Sequence, residues 1–363
     1  MAEKRYRAGA IGRTGQGNFG HGLHVPYQKI DCVDMIAVSD PNTAGREKAI
    51  ADAGAQRGYA DYRDMLAKED LDIVSVCPRW VDCHEEMIVA CIEAGCHVYA
   101  EKPLAGDLAS ADRIVAAAEQ HNRKIAVAHQ AVYLRQLHQV RDLIRENQIG
   151  KLLSMHGYGK QDHRGGGEDM LVLGTHLFNM MRFLGGDPLW MTARVTVGDR
   201  EIAPEDVREA TEPIGAIAGD GVVSLFSFGD GVDGSFVSRA NQSGKGQGYG
   251  LVLVGESGRI AISGGAEAIS IYEDGLWAPW RGGREWQALD LAGDHLQETG
   301  NYRAIIDLID AIERDRAPIS SDRDARWALE MIHGAYASQI SGQRVVFPNP
   351  DRSHPLEKWH SGH

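Results

Sequence analysis

The first 130 residues alternate between short apolar segments and amphipathic segments, and no other feature constrains the fold as strongly. The apolar runs predict buried strands at residues 7–11, 34–40, 73–77, 96–101 and 125–130. The segments between them predict helices at residues 43–53, 62–67, 84–94 and 110–121. Strands that alternate with helices indicate crossover connections, so this part of the chain predicts a doubly wound parallel sheet.

The pattern changes after residue 150. Strand-like stretches follow one another at residues 152–158, 191–197, 222–228, 234–239, 251–255, 259–263 and 269–272. Helices are predicted at residues 137–147, 170–184, 300–314 and 322–340, then a short strand at 345–348 and an extended tail at 353–363. Strands without alternating helices indicate a largely antiparallel open sheet within an α+β domain. Ile149-Gly150-Lys151 marks the boundary, so we predict domains at residues 1–148 and 149–363.

Composition narrows the class of protein. The net charge of −13 argues against nucleic acid as the main partner, because phosphate binding needs a clustered basic surface. No apolar run approaches the roughly 20 residues that span a bilayer, and the first residues lack the apolar segment of a signal peptide. None of the five cysteines forms a Cys-x-x-Cys pair, which favours buried thiols in a reducing compartment. We therefore expect a cytoplasmic protein with no nucleic-acid or membrane partner.

A glycine-rich loop follows the first predicted strand. Such glycines let the backbone turn tightly beside a pyrophosphate, whose charge then faces a helix amino terminus. A literal Gly-x-Gly-x-x-Gly lies at Gly15, Gly17 and Gly20, but the loop must follow the strand directly, which favours a register that begins at Gly12. Thr14 then takes the place of a glycine. A surface turn without a ligand is the alternative.

Asp40 ends the second predicted strand about twenty residues beyond the glycines. A carboxylate at this position can accept hydrogen bonds from an adenosine ribose, and it would repel a 2′-phosphate. The sequence therefore favours NAD over NADP. Arg13 is the counter-argument, since a guanidinium beside the ribose could accept that phosphate.

Lys102 follows the strand that ends at Glu101. Pro103 stops the strand because it offers no backbone donor, and it holds Lys102 in an extended conformation. Ligands bind at the carboxyl ends of the strands in such sheets. A half-buried ammonium there is a candidate acid, base or oxyanion clamp. The alternative is a strand end with a solvated charge pair.

These motifs together resemble the Gfo/Idh/MocA oxidoreductases, such as glucose-fructose oxidoreductase and inositol dehydrogenase. The resemblance runs from about residue 5 to about residue 348 and includes His176. It implies an amino-terminal Rossmann domain, NAD as the cofactor, a homodimer or homotetramer, and Lys102 and His176 as catalytic residues. One position departs from the family, which commonly has an aspartate four residues before the histidine. This chain has Val172 there.

The resemblance and the polar loop at residues 157–164 also predict binding residues. Those expected at the cofactor are Gly12, Arg13, Thr14, Gly15, Gly17, Asp40, Pro78, His84, Glu101, Lys102 and Gln130. Those expected at the substrate are Lys102, Tyr158, Lys160, Asp162, His163, Arg164, Asp169, Thr175, His176 and Asn179. The carboxylates and histidines of this second set also permit a metal site. We expect no metal, because charged loops are usually solvated.

The resemblance implies reversible hydride transfer between a nicotinamide and a secondary hydroxyl of a sugar, cyclitol or glycoside. Two alternatives remain open. A redox-assisted, NAD-dependent glycosidase of the same fold gains weight from Val172, which departs from the dehydrogenase pattern. A non-catalytic sugar or nucleotide sensor loses weight because both Lys102 and His176 are present.

Overall fold

The computed structural model of the chain describes residues 4–242, 248–274, 284–291 and 296–362. By compactness the chain forms two units. The first comprises Met1–His129, Thr211–Gly215 and Gln297–Arg326, and the second comprises Gln130–Ala210, Ala216–Leu296 and Trp327–His363. The boundaries of these compact units differ from the domain boundary that the sequence predicted. The functional boundary after residue 148 remains a prediction.

The first unit is built on a six-stranded sheet with the strand order β3-β2-β1-β4-β5-β6. Every neighbouring pair is parallel, which confirms the predicted doubly wound sheet. The strands are β1 Tyr6–Ile11, β2 Val33–Ser39, β3 Arg57–Tyr59, β4 Ile73–Val76, β5 His97–Ala100 and β6 Ile125–Val127. The sequence did not predict β3, because its three edge residues are partly or fully exposed and carry no apolar pattern.

Side-chain caps begin three of the early helices, two at the predicted residue and α4 two residues earlier. Asn42 accepts a hydrogen bond from the Gly45 amide, and Asp61 and Asp107 cap two further helices in the same way. The helices are α1 Thr43–Ala53, α2 Tyr62–Lys68, α3 His84–Glu93, α4 Leu108–Gln120, α5 Arg135–Arg145, α6 Gly167–Asp169, α7 Thr175–Gly185, α8 Leu296–Glu313, α9 Asp322–Ser341 and α10 Pro355–His360.

The segment between β1 and β2 differs from the expectation of a helix after the glycine-rich loop. It contains turns followed by a single 3-10 helix, Val25–Lys29. Gly20 and Gly22 have φ values of 55° and 75°, which are left-handed and incompatible with a continuing α-helix. A phosphate at this loop would therefore meet backbone amides of turns instead of an α-helix amino terminus.

The second unit contains a ten-stranded mixed sheet with the order β17-β16-β15-β14-β7-β13-β12-β8-β18, and β9 pairs with β8. β7 and β13 pair in parallel, and the other neighbours are antiparallel, which confirms the predicted α+β domain. The strands are β7 Leu152–Tyr158, β8 Pro188–Val197, β9 Arg200–Glu201, β12 Gly221–Phe228, β13 Asp233–Arg239, β14 Gly250–Gly255, β15 Arg259–Ser263, β16 Ala268–Tyr272, β17 Gln287–Ala288 and β18 Val345–Val346. β10 Arg208–Glu209 and β11 Ala216–Ile217 form a separate pair.

The two faces of this sheet differ in burial. On one face, Phe226 and Phe236 pack edge to face against Phe178 of α7, with ring centroids 5.4 and 5.1 Å away. On the other face, Val223 and Leu225 of β12 remain 45% and 43% exposed. Alternation along each strand thus places the core on the α7 side and leaves apolar side chains on the opposite side.

After residue 165 the short strands β9, β10, β11 and β17 were not predicted, and two helical segments differ from the sequence prediction. The helix predicted at residues 170–184 exists, but it begins as α6, continues as a π-helical turn, Met170–Gly174, and then becomes α7. The tail predicted to be extended instead contains α10, which starts at Pro355, a residue whose fixed φ suits the first turn of a helix. Among the helices in the described ranges, none is long and apolar enough to cross a membrane.

Candidate functional site

The glycine-rich loop closes on itself immediately after β1. Arg13 and Asn18 exchange backbone hydrogen bonds, and the Asn18 side chain accepts from the Gly15 amide. Gly15 and Gly17 have φ values of 86° and 90°, which favour glycine. A Cβ on Gly17 would lie 2.4 Å from the Arg79 amide nitrogen, so this glycine also lets the loop contact the segment after β4.

The same loop offers donors that suit a pyrophosphate. Within the described part of the chain, the amides of Gly17 and Phe19 donate to no acceptor. Successive backbone N–H groups in a turn with left-handed residues form a concavity that binds anions. The loop therefore fits a dinucleotide, although the α-helix that usually supports one is missing from this fully described segment.

Asp40 lies directly after β2 and is fully buried. Its Oδ2 accepts hydrogen bonds from the Thr14 amide at 3.0 Å and the Thr14 hydroxyl at 2.6 Å, and its Oδ1 accepts from the Asn42 amide at 2.8 Å. These three donors are neutral, so they do not cancel the carboxylate charge. The carboxylate ties the predicted ribose-binding position to the glycine-rich loop.

Two arginines near this end of the sheet have other partners. Arg13 pairs with Asp82 at 2.8 Å, and this hydrogen bond raises the pKa of the guanidinium. Arg46 of α1 donates to the Asp40 carbonyl oxygen at 2.7 Å. Arg13 was the arginine predicted from the sequence as a candidate for a 2′-phosphate, whereas Arg46, which lies beside the Asp40 backbone, was not predicted.

The buried His84 side chain contacts the backbone of two loops in the first unit. Its Nε2 lies 2.7 Å from the Pro78 carbonyl oxygen, and its Nδ1 lies 2.9 Å from that of Pro103. The side chain has no exposed surface. His84 therefore holds the segments that follow β4 and β5, and Pro78 contributes a carbonyl oxygen to that contact.

Glu101 and Lys102 follow β5 and are both buried, Glu101 completely and Lys102 with 7% of its surface exposed. Glu101 Oε1 accepts a hydrogen bond from the His21 amide at 2.8 Å and faces His21 Nδ1 at 2.5 Å. Burial raises the pKa of Glu101, but the charge and hydrogen bonds of His21, together with the charge of Lys102, bring it below its usual value. His21 was not predicted, because only its place after Gly20 distinguishes it in the sequence.

The polar loop of the second unit is organised by two carboxylates. Asp162 accepts three hydrogen bonds from Arg164, which lower the pKa of the aspartate to about 2. Lys160 lies 3.7 Å from the same carboxylate, whereas the His163 side chain is 74% exposed. The loop thus combines a fixed ion-pair cluster with one solvated histidine.

Asp169 of α6 anchors this loop from beneath. Its Oδ2 accepts hydrogen bonds from the Ser238 hydroxyl at 2.6 Å and the Gln161 amide at 3.1 Å, and the residue is 3% exposed. Burial raises the pKa of Asp169, and the Ser238 hydrogen bond opposes that rise. Ser238 Oγ also accepts from the Gly166 amide, so the middle of the loop and Gly166 just beyond it are both joined to one carboxylate.

His176 lies half-buried in the first turn of α7, between the buried residues Thr175 and Leu177. Val172 precedes it within the π-helical turn, which replaces the regular α-helical spacing assumed from the sequence. π-Helical turns of this kind are frequent at functional sites. Asn179 follows on the same helix and is buried.

Tyr158, a predicted substrate residue, does not lie on the face of the sheet that α7 and His176 cover. It ends β7 directly after Gly157, whose added Cβ would contact Met181 of α7 at 2.8 Å. Successive side chains of a strand point to opposite faces, so Tyr158 lies on the face away from α7.

Gln130, a predicted cofactor residue, is buried at the start of a 3-10 helix after β6. The described ranges contain no group of three or more His, Cys, Asp or Glu side chains suited to a metal ion.

Comparison with family models assigns the class of protein. The model "Oxidoreductase family, NAD-binding Rossmann fold" matches residues 10–129, and the model "GFO/IDH/MocA C-terminal domain" matches residues 137–261. The chain is therefore an oxidoreductase with an NAD-binding Rossmann fold. It belongs to the Gfo/Idh/MocA family.

The individual proteins that this chain resembles share only part of its sequence. The chain is 30% identical over 162 residues to glycosyl hydrolase family 109 protein 2 of Shewanella sp. strain ANA-3, covering 42% of this chain and 35% of that protein. It is 27% identical over 142 residues to the myo-inositol 2-dehydrogenase of Thermotoga maritima, covering 39% and 42%. These matches span less than half the length of the curated relatives. Levoglucosan dehydrogenase in complex with NADH and levoglucosan shares the fold, with a TM-score of 0.78 at 18% identity, covering 95% of this chain and all of that one.

Replacing two glycines of the loop separates a packing requirement from backbone strain. Both Gly15 and Gly20 have positive φ, but a Cβ on Gly15 meets no atom within 4 Å, whereas on Gly20 it lies 2.3 Å from the Cys77 carbonyl oxygen. We expect Gly15→Ala to weaken NADH binding about thirtyfold or less, since left-handed strain costs about 1–2 kcal/mol. Gly20→Ala should weaken it much further. NADH fluorescence titration measures both, and equal losses would contradict this role of Gly20.

Proposed function

We propose that the chain catalyses reversible hydride transfer between NAD and a secondary hydroxyl of a sugar, cyclitol or glycoside. The observation that carries the proposal is Lys102, a buried lysine two residues after the inner strand β5 of a family-matched NAD-binding domain. The dehydrogenase names of two similar proteins, those of myo-inositol and levoglucosan, support this class of substrate.

The protein's part in this reaction is to orient the hydroxyl and manage its proton. When bound, NAD supplies the hydride acceptor. Lys102 would donate a hydrogen bond to the reacting hydroxyl and stabilise the alkoxide as it forms. His176 would accept the proton. Burial strengthens the interaction of the Lys102 ammonium with a developing negative charge, because little water screens it.

The polar loop of the second unit would bind the remaining hydroxyls of the substrate. Asp169 holds the middle of this loop through the Gln161 amide and Gly166 through Ser238, and Asp162 fixes Arg164. Fixed donors and acceptors bind a polyhydroxylated ligand with less loss of conformational entropy than mobile ones.

All five cysteines are free thiols, which suits a reducing compartment, and we place the activity in the cytoplasm.

The test is anaerobic incubation with NAD and a panel of sugars, cyclitols and glycosides, monitored at a wavelength that detects NADH and by product analysis. Accumulating NADH together with the ketone product supports the proposal. Release of an aglycone without net NADH would identify a redox-neutral glycosidase instead. Binding of a sugar with neither product would indicate a sensor.

The two catalytic residues should contribute unequally. Lys102→Ala removes a charged donor from the developing alkoxide, which typically costs about 3–4 kcal/mol of transition-state stabilisation. His176→Ala should lower kcat by about 10²-fold, at the lower end of the range for a general base. Because Val172 gives His176 no carboxylate four residues earlier, we expect Lys102→Ala to have the larger effect. Steady-state kinetics and NADH titration measure turnover and cofactor binding separately. Lost NADH binding in Lys102→Ala would point to a structural role.

Val172→Asp restores the family pattern and is the variant that separates two kinds of enzyme. A higher rate of NADH formation would show a dehydrogenase that merely lacks a carboxylate. Loss of turnover would show that the valine belongs to a specialised pocket, in favour of the glycosidase.

NAD should bind more tightly than NADP. The Asp40 charge, which its neutral donors do not cancel, would repel a 2′-phosphate, and Arg13 is already paired with Asp82. Asp40→Ser should narrow the difference between the two dissociation constants. Titration of the wild type and the variant with both cofactors measures this. Equal or tighter NADP binding by the wild type would mean that an arginine, Arg46 or Arg13, binds the 2′-phosphate.

We also propose that the exposed face of the ten-stranded sheet joins subunits of a twofold-symmetric dimer or tetramer. Val223, Leu225 and Tyr158 present apolar surface there, and such exposed patches mark interfaces. Leu225→Glu should convert the oligomer to a monomer in light scattering at micromolar concentration. Ile306→Glu is the matched control, because Ile306 is 38% exposed but lies on α8 and not in the sheet. A monomeric wild type would contradict the proposal.

A further inference from the structure

His21 supplies most of the hydrogen bonding of the buried Glu101 carboxylate. The backbone amide of His21 donates to Oε1 at 2.8 Å, and His21 Nδ1 lies 2.5 Å from the same oxygen. The Lys102 amide donates to Oε2 at 2.9 Å. A buried carboxylate without partners is very costly, so these three contacts decide whether Glu101 can remain ionised.

Three ionisable groups face Glu101. His21 approaches from the glycine-rich loop, Lys102 follows on the same chain, and the Cys77 thiol approaches from the end of β4. Burial and the Glu101 charge raise the pKa of that thiol, so Cys77 brings no negative charge of its own near neutral pH. His21 and Lys102 are therefore the two side chains that can balance the Glu101 charge.

His21 is held in place on both sides. Its carbonyl oxygen accepts a hydrogen bond at 2.9 Å from Asn301, whose own side-chain oxygen accepts from the Tyr99 hydroxyl at 2.7 Å. Gly20 approaches Glu101 so closely that an added Cβ would lie 2.5 Å from Oε1. The His21 side chain keeps 38% of its surface exposed, whereas the Glu101 side chain has none exposed.

We propose that His21 is a positioning residue that satisfies the Glu101 carboxylate from the glycine-rich loop, so that the Lys102 ammonium serves the substrate hydroxyl and not Glu101. This inference rests on the proposed role of Lys102 in hydride transfer. Removing the His21 ring leaves a buried negative charge with one strong partner fewer. The other cation whose charge acts on Glu101 is the Lys102 ammonium. A tighter pairing with Glu101 would turn that ammonium away from the alkoxide and raise the pKa of the lysine.

The decisive measurement is the pKa of Lys102 itself, since it does not require the substrate. Reductive methylation with carbon-13 labels the lysines for NMR titration, and the signal lost in Lys102→Arg assigns the residue. His21→Leu should lower the acid dissociation constant of Lys102 about tenfold. His21→Asn keeps a donor near the position of Nδ1 and should give a smaller change. His121→Leu is the control, because His121 ends α4 and should leave Lys102 unchanged.

A double-mutant cycle tests whether Glu101 carries the effect. In a Glu101→Gln background, His21→Leu should leave the pKa of Lys102 unchanged, because no buried charge remains to be satisfied. An unchanged Lys102 in His21→Leu, or the same change in the Glu101→Gln background, would overturn the proposal. If the leucine variant does not fold, His21→Ala, which also removes the ring, gives the same two readings.

Kinetics separate this inference from the proposed function. In an active enzyme, His21→Leu should lower kcat about tenfold at neutral pH, with rescue in His21→Asn and little change in the KM for substrate. An equal loss in both variants would indicate a merely structural histidine and contradict the inference. Absence of NAD-linked turnover in the wild type would refute the proposed function, yet the titration of Lys102 would still report on His21.

Discussion

The burial of one carboxylate organises the nucleotide-binding part of this protein. Glu101 lies where the parallel strands of the first sheet end, and it is fully enclosed. A charge in that position must be satisfied by groups nearby, and the chain meets this requirement with the glycine-rich loop. The loop contacts Glu101 through His21, contacts Asp40 through Thr14, and approaches the segment after β4 through Gly17. Two buried carboxylates thus shape the loop from opposite sides.

This arrangement gives the glycines a second purpose. Glycine-rich loops are usually explained by the close approach of a phosphate. Here Gly20 and Gly17 are also needed because the loop lies against the protein's own carbonyl and amide groups. The missing α-helix after the loop is consistent with that role, since left-handed glycines that fit the neighbouring strand ends cannot also begin a helix.

Prediction from the sequence succeeded where the physics is local and repetitive. The alternation of apolar and amphipathic segments predicted most of the strands and helices. Of these, α1 and β7 lie at the predicted residues. It failed where long-range contacts decide. β3 exists because it pairs with β2, and its own residues carry little apolar signal. His21 could not be distinguished from a loop histidine, because Glu101 lies eighty residues away. The orientation of Tyr158 depends on which face of the sheet α7 covers, and one sequence does not contain that information.

The last strand of the parallel sheet depends on residues that are made much later. The Val127 amide donates to the Ser320 carbonyl, Ala126 forms a bridge with Ser321, and His129 contacts the Ser320 hydroxyl at 3.0 Å. Asn301, which holds His21, also comes from this late segment. On the ribosome, the first 148 residues therefore emerge without the groups that complete their sheet edge and their glycine-rich loop. The nucleotide-binding unit is complete only when residues 297–326 have been synthesised, so the first 148 residues alone lack part of it.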